Sequence, residues 1–168
     1  MEAKQVSDID WTNWSAVEPA TLIFVIRDGQ ILLIRKKQGL GAGKINGPGG
    51  RLEPGEAPAA GAARELLEEL GVTAVDPVRL GDHRFQFVDG YSTYVHVYRA
   101  TNLQGTPIET DEAIPMWVDL EAIPFDEMWE DDRLWLPLLV AGQRFSGYWI
   151  FDGDRMLDYR LDVLTEEP

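Results

Sequence analysis

A chain of 168 residues with 45% hydrophobic content is long enough for one well-packed domain and short for two. Its net charge of -14 argues against a nucleic-acid polymer as partner, because a phosphate backbone wants clustered Lys and Arg; cations held on carboxylates can still neutralise a small polyanion. Having no Cys, the chain forms no disulfide, no Cys-liganded zinc site and no thiol nucleophile.

Residues 1–18 are polar and acidic and read as a flexible N-terminal extension, with Trp11 and Trp14 available to dock it. They lack the basic and apolar regions of a signal peptide, and no run approaches membrane-spanning length. A soluble cytoplasmic protein is expected, with no membrane partner. The single domain is expected over 19–168. TLIFVIRDGQILLIRKK reads as two antiparallel strands around the Asp28-Gly29 turn. A glycine-rich loop, QGLGAGKINGPGG, follows and leads into a helix over AARELLEELGV, with Ala62, Ala63, Leu66, Leu67 and Leu70 as its apolar stripe and Gly71 as its stop. VTAVDPVRLGDHRFQFVD and YSTYVHVYRA alternate as strands joined near Asp89-Gly90, and WVDLEAIPF is a strand running into a turn. DEMWEDDRLWLPLLVAGQ carries helical spacing despite Pro137, and the C-terminal segment is a hairpin around Asp152-Gly153. Mixed strands with two helices indicate the α/β class, an α/β/α sandwich with a mixed sheet.

The residues that carry chemistry lie between Gly50 and Val72. Gly50, Glu56, Arg64, Glu65, Glu68, Glu69 and Gly71 fall at the spacing G-x5-E-x7-R-E-U-x-E-E-x-G-U, where U is aliphatic. Glu65, Glu68 and Glu69 stand at i, i+3 and i+4 and share a helical face. Carboxylates so close repel unless a cation sits among them, and hard oxygen ligands select Mg2+, with Mn2+ as the alternative. RELLEE alone reads as a solvated face; the joint spacing of all seven positions does not. This pattern resembles the Nudix box, a signature of metal-dependent hydrolases acting on nucleoside diphosphates linked to another moiety. The resemblance implies the Nudix fold and an ion pair between Glu56 and Arg64. It further implies metal ligation by Glu65, Glu68, Glu69, Gly49 and Glu112, with Glu69 or Glu112 of the ETDE segment as general base.

Outside the box, GAGKINGPGGRLEPGE, QGTPIETDE, IPFDEMWEDDRLWLPLL and the terminal hairpin look like the animal oxidised-purine nucleoside triphosphatases, the MutT-homologue group of 8-oxo-dGTP diphosphatases. That likeness implies that Asp131 and Asp132 read the purine edge and that Trp129 stacks on the base. Asn46 would supply an amide, Phe85 and Trp135 apolar walls, and Lys36 and Thr21 substrate contacts. An acid pair sharing one proton offers a donor and an acceptor side by side, which suits a variably substituted purine. Each residue also has a plainer reading: helix-start acids, core tryptophans, a turn asparagine and a solvated lysine. His83 and His96 read as structural. Leu40, Ile45, Pro48 and Thr93 depart from the bulkier walls of those enzymes. The expected activity is hydrolysis of a small-molecule purine nucleoside triphosphate to monophosphate and pyrophosphate by a monomer. The alternatives are turnover of ADP-ribose or a dinucleoside polyphosphate, and a nucleotide-binding module without turnover.

Overall fold

Side-chain alternation sets the layers of this computed structural model, which describes residues 2–165. The first two strands, β1 (Glu18–Arg27) and β2 (Gln30–Lys36), are apolar on both faces. Ile23 and Val25 of β1, with Leu32 and Ile34 of β2, pack on Ala62, Leu66 and Leu70 of helix α1 (Pro58–Leu70). Phe24, Ile26, Ile31 and Leu33 face the opposite way, onto Trp135, Leu136 and Leu139 of helix α2 (Asp132–Val140). Strands buried on both sides require cover on each face, and the outcome is the α/β/α sandwich with a mixed sheet.

Between β2 and α1 lie β3 (Ile45–Asn46) and β4 (Gly49–Arg51). After α1 come β5 (Thr73–Ala74), β6 (Val78–Phe87), β7 (Ser92–Ala100), β8 (Leu103–Gln104) and β9 (Ala113–Asp119), and after α2 the hairpin β10 (Arg144–Asp152) and β11 (Arg155–Leu164). The nine-stranded sheet runs β11-β10-β6-β7-β1-β2-β3, with β4 on β1 and β9 on β2, and β5 pairs β8 separately. β1 lies parallel to β7 and β10 parallel to β6.

One departure from a regular sheet builds the site. β1 and β2 pair only at Ile26–Ile31 and Arg27–Gln30 and then separate. Segment 45–51 fills the fork: Ile45 and Asn46 pair with β2, while Gly49, Gly50 and Arg51 pair with β1. Strands this short inside a glycine-rich loop carry no periodicity, so the sequence reads them as loop.

Three expectations change. Ala63 and Leu67 of the expected apolar stripe are exposed, and the inward face of α1 is Gly61, Ala62, Leu66, Glu69 and Leu70. The second helix begins at Asp132 rather than near residue 126, because Met128 is extended (φ -111, ψ 178) and turns its side chain into the core. The N-terminal segment expected as an extension is laid along the sheet. Val6 N–H donates to Asp158 Oδ2 (2.7 Å), Trp14 Nε1–H to Gln86 Oε1 (2.8 Å), and Trp11 packs on Trp14 and Tyr148 at ring distances of 5.3 and 5.1 Å. Tyr148 alternates with the core residue Trp149 and so faces the α1 side, where the segment covers β10 and β11 beyond the reach of α1. Among the described residues no helix is long and apolar enough to cross a membrane.

Candidate active site

Glu69 lies on the inward face of α1 and is 3% exposed. Its Oε1 accepts a hydrogen bond from the Gly49 N–H at 2.8 Å, leaving the second oxygen for other partners. Ligand atoms of Glu65, Glu69 and Glu112 all lie within 4.8 Å of one another. Burial, with the neighbouring Glu65 charge adding to it, lifts the Glu69 carboxyl to about 8, and burial also raises Glu65. Three converging carboxylates, two of them raised by burial, are a donor set matched to a hard cation, whose charge removes the penalty. Glu68 does not join them: it is exposed and receives Arg64 NH1 at 3.2 Å.

The fork brings bare backbone up to these acids. A Cβ on Gly50 would lie 2.6 Å from the Glu65 carboxyl carbon, and one on Gly49 would collide with the Thr21 carbonyl. Thr21 is opposite Gly50 in register, is buried, and its Oγ1 has no hydrogen-bond partner among the described residues. Lys36 Nζ donates to the Leu40 carbonyl at 2.7 Å; burial lowers its pKa, against the opposing pull of Glu69, Glu65 and Glu112. Glu112 is positioned by Thr110, a residue that no motif in the sequence singles out. Thr110 Oγ1–H donates to the Glu69 carbonyl (2.7 Å) while Thr110 Oγ1 accepts from Glu112 N–H (3.2 Å). Its one local signal is a hydroxyl two residues before the acid, the spacing of a side-chain turn.

Glu56 and Arg64 form the expected pair. Arg64 Nε and NH2 donate to the two Glu56 oxygens at 2.8 and 2.9 Å, a two-pronged contact, and NH1 reaches Glu65 at 2.9 Å. The Arg64 hydrogen bonds hold the Glu56 carboxyl down at about 2. Arg64 NH2 also donates to the Arg51 carbonyl at 3.0 Å, pinning the loop to the helix. A cleft of about 380 Å³ lined by Arg51, Glu53, Arg64, Glu65 and Glu68 opens here.

On the α2 side, the aromatic and acidic residues gather as a second group. Trp129 meets Phe87 and Phe151 edge-on at 6.2 and 5.6 Å, and Phe85 lies 6.0 Å from Phe151. Asp131 and Asp132 are both buried. Asp131 precedes the helix yet makes no side-chain cap, accepting instead from Trp135 Nε1–H at 2.7 Å, while its Oδ1 has no partner among the described residues. Burial raises Asp131 to about 6; burial and then the Asp131 charge raise Asp132 well above the usual carboxylate range. Trp135, expected as a pocket wall, is fully buried against Phe24, His83 and Phe145, one layer beneath the acids it supports. His83 is also fully buried, accepts at Nδ1 from Trp149 Nε1–H (2.9 Å) and is lowered by burial to about 3, as suits a structural imidazole.

A family model described as NUDIX domain matches residues 17–139. An oxidized purine nucleoside triphosphate hydrolase of Danio rerio is 44% identical over 148 residues, spanning 87% of this chain and 95% of that protein. A Mus musculus protein of the same description is 41% identical over 143 residues, 84% of this chain and 92% of its own. The crystal structure of mMutator MutT protein from Bacillus halodurans superposes with a TM-score of 0.78 at 25% identity, covering 87% of this chain and 98% of that one.

Proposed function

The chain belongs to the NUDIX family, and on that basis we propose that it hydrolyses oxidised purine nucleoside triphosphates to monophosphate and pyrophosphate, clearing them from the nucleotide pool. One observation carries the reading: segment 45–51 runs from the carboxylate cluster, where the Gly49 N–H meets Glu69, to Asn46, whose Oδ1 converges with Trp129 on Gly41. Asn46 and Gly49 are three residues apart, so their Cα atoms are separated by at most about 11 Å, within the length of one nucleoside triphosphate.

Glu65, Glu69 and Glu112 would hold divalent metal, Mg2+ or Mn2+ by the hardness of their oxygens, with Gly49 fixing Glu69 among them. When bound, such a cation screens the phosphates and acidifies the attacking water. Glu69, the more buried of the two candidate bases, would accept a proton from the attacking water, and Glu112 would serve as ligand. Arg64 and Glu56 keep the loop seated on α1, and Lys36 and Thr21 meet the phosphate end. In the purine pocket, Asp131 Oδ1, which has no hydrogen-bond partner among the described residues, accepts from the base edge, and Asp132, whose carboxyl burial raises, donates to it, with Asn46 on a second edge and Trp129 against the ring face. It acts as a monomer on free nucleotide in the cytoplasm.

The test is kcat/KM with Mg2+ for 8-oxo-dGTP, 2-oxo-dATP, dGTP, dATP and ADP-ribose side by side, detecting monophosphate and pyrophosphate. An oxidised purine triphosphate is expected to outrun its unmodified parent. Equal weak rates, or ADP-ribose fastest, would overturn the substrate while leaving the metal chemistry.

A further inference from the structure

Lys44, just before β3, stands among the residues proposed to meet the purine. Lys44 accepts at its carbonyl from Asn46 Nδ2 (3.1 Å) and from the Lys36 N–H (3.1 Å), and its own N–H donates to the Gly41 carbonyl (2.9 Å). With its amide nitrogen so engaged, Asn46 presents Oδ1 toward Gly41. A Cβ on residue 41 would lie 3.4 Å from that oxygen and 2.8 Å from Trp129 Nε1, so both side chains converge on bare backbone. The Lys44 ammonium stands 5.4 Å from the centre of the Trp129 ring and 3.5 Å from Asp154 Oδ2, in the turn between β10 and β11. Asp154 is largely exposed, which leaves the indole as the stronger tie. The loop itself turns through glycines at 39, 41 and 43, all with φ between 81 and 87; Lys36 Nζ on the Leu40 carbonyl (2.7 Å) and Arg35 NH1 on the Gly43 carbonyl (2.9 Å) tie it to β2, and the Lys44 ammonium ties it to the indole.

We propose that Lys44 is a positioning residue of the purine pocket: its carbonyl orients Asn46 and its ammonium clasps Trp129, setting loop 39–44 against the indole. This rests on the function proposed above. Lys44 acts through the two side chains that meet the base, so its loss weakens substrate binding more than turnover. The clasp joins loop 39–44 to the indole, so it also governs how readily that loop opens.

Lys44→Met keeps the stem and removes the charge, and Lys44→Arg keeps a cation over the ring. In Lys44→Met, KM for 8-oxo-dGTP is expected to rise about two- to fivefold with kcat little changed, the range of a surface cation–π contact. Amide hydrogen exchange at residues 39–44 of the nucleotide-free protein should quicken by a similar factor, and Lys44→Arg should restore both. Unchanged exchange in Lys44→Met overturns the proposal, since a KM effect alone would mean direct contact with substrate. Asp154→Asn reproducing the whole effect also overturns it, by assigning the clasp to the ion pair. Should the parent protein not hydrolyse oxidised purines, the functional reading falls, and the exchange data still decide whether Lys44 holds the loop.

Discussion

Replacing Trp135 with Phe removes the indole N–H that Asp131 Oδ2 accepts at 2.7 Å, inside a region where both residues are buried. Two losses follow, and pH separates them. The packing loss against Phe24, His83 and Phe145 is the same at every pH. The hydrogen-bond loss is not, because Asp131 titrates near 6, raised by burial and held down by this same indole. Below that pH the carboxyl is neutral and the bond contributes about 1 kcal/mol; above it the bond goes to a charge and contributes about 1.5–3 kcal/mol. The linkage sign agrees. Asp131 has a folded pKa above its unfolded value near 3.9, and losing the donor raises it further, so the variant loses extra stability as pH rises through 6. Urea unfolding of both proteins at pH 4.5 and pH 8 should therefore show a destabilisation larger at pH 8 by about 1 kcal/mol. Equal destabilisation at the two pH values, or a larger one at pH 4.5, would rule out an ionised Asp131 held by Trp135.

Glu69→Gln retains an acceptor for the Gly49 N–H, so far-UV circular dichroism should be unchanged while kcat falls by more than the ~10- to 100-fold typical of losing an outer-shell partner. A wild-type rate would remove Glu69 from the chemistry. Gly49→Ala drives a methyl into the Thr21 carbonyl at φ 155 and should lose about 3 kcal/mol or more along with the β1–β4 pairing; an unaltered Tm would contradict that close approach. Trp11→Ala should lower stability by about 1–3 kcal/mol through lost contact with Trp14 and Tyr148, with KM unmoved. A Tm equal to that of the parent would mean that the N-terminal segment contributes nothing to holding the sheet.

Local periodicity makes the layers and the box legible. Glu65 and Glu69 are four residues apart, and four residues is close to one helical turn, so their convergence follows from spacing alone. Glu68 is not separable from them by the same rule, because i+3 and i+4 positions are both neighbours of i; only the packing of α1, which buries Glu69 and leaves Glu68 exposed, sets it apart. Leu67 shows the same limit. Spacing puts it at the margin of the apolar stripe, and only the position of the sheet under α1 leaves it exposed. Trp135 falls in the expected region but one layer deeper, since no local pattern distinguishes a pocket wall from the core behind it.

Two strands apolar on both faces and two amphipathic helices are enough to specify the sandwich, and seven residues whose spacing is a property of one loop and one helix are enough to specify metal-type chemistry. The fork between β1 and β2, the arrival of Glu112 beside Glu69 and the burial that raises Glu69 and Asp131 belong to the folded molecule and have no counterpart in local pattern. Short-range spacing follows from the geometry of a single element. Register, depth and desolvation depend on segments brought together from distant parts of the chain, and they come into being only when those segments pack.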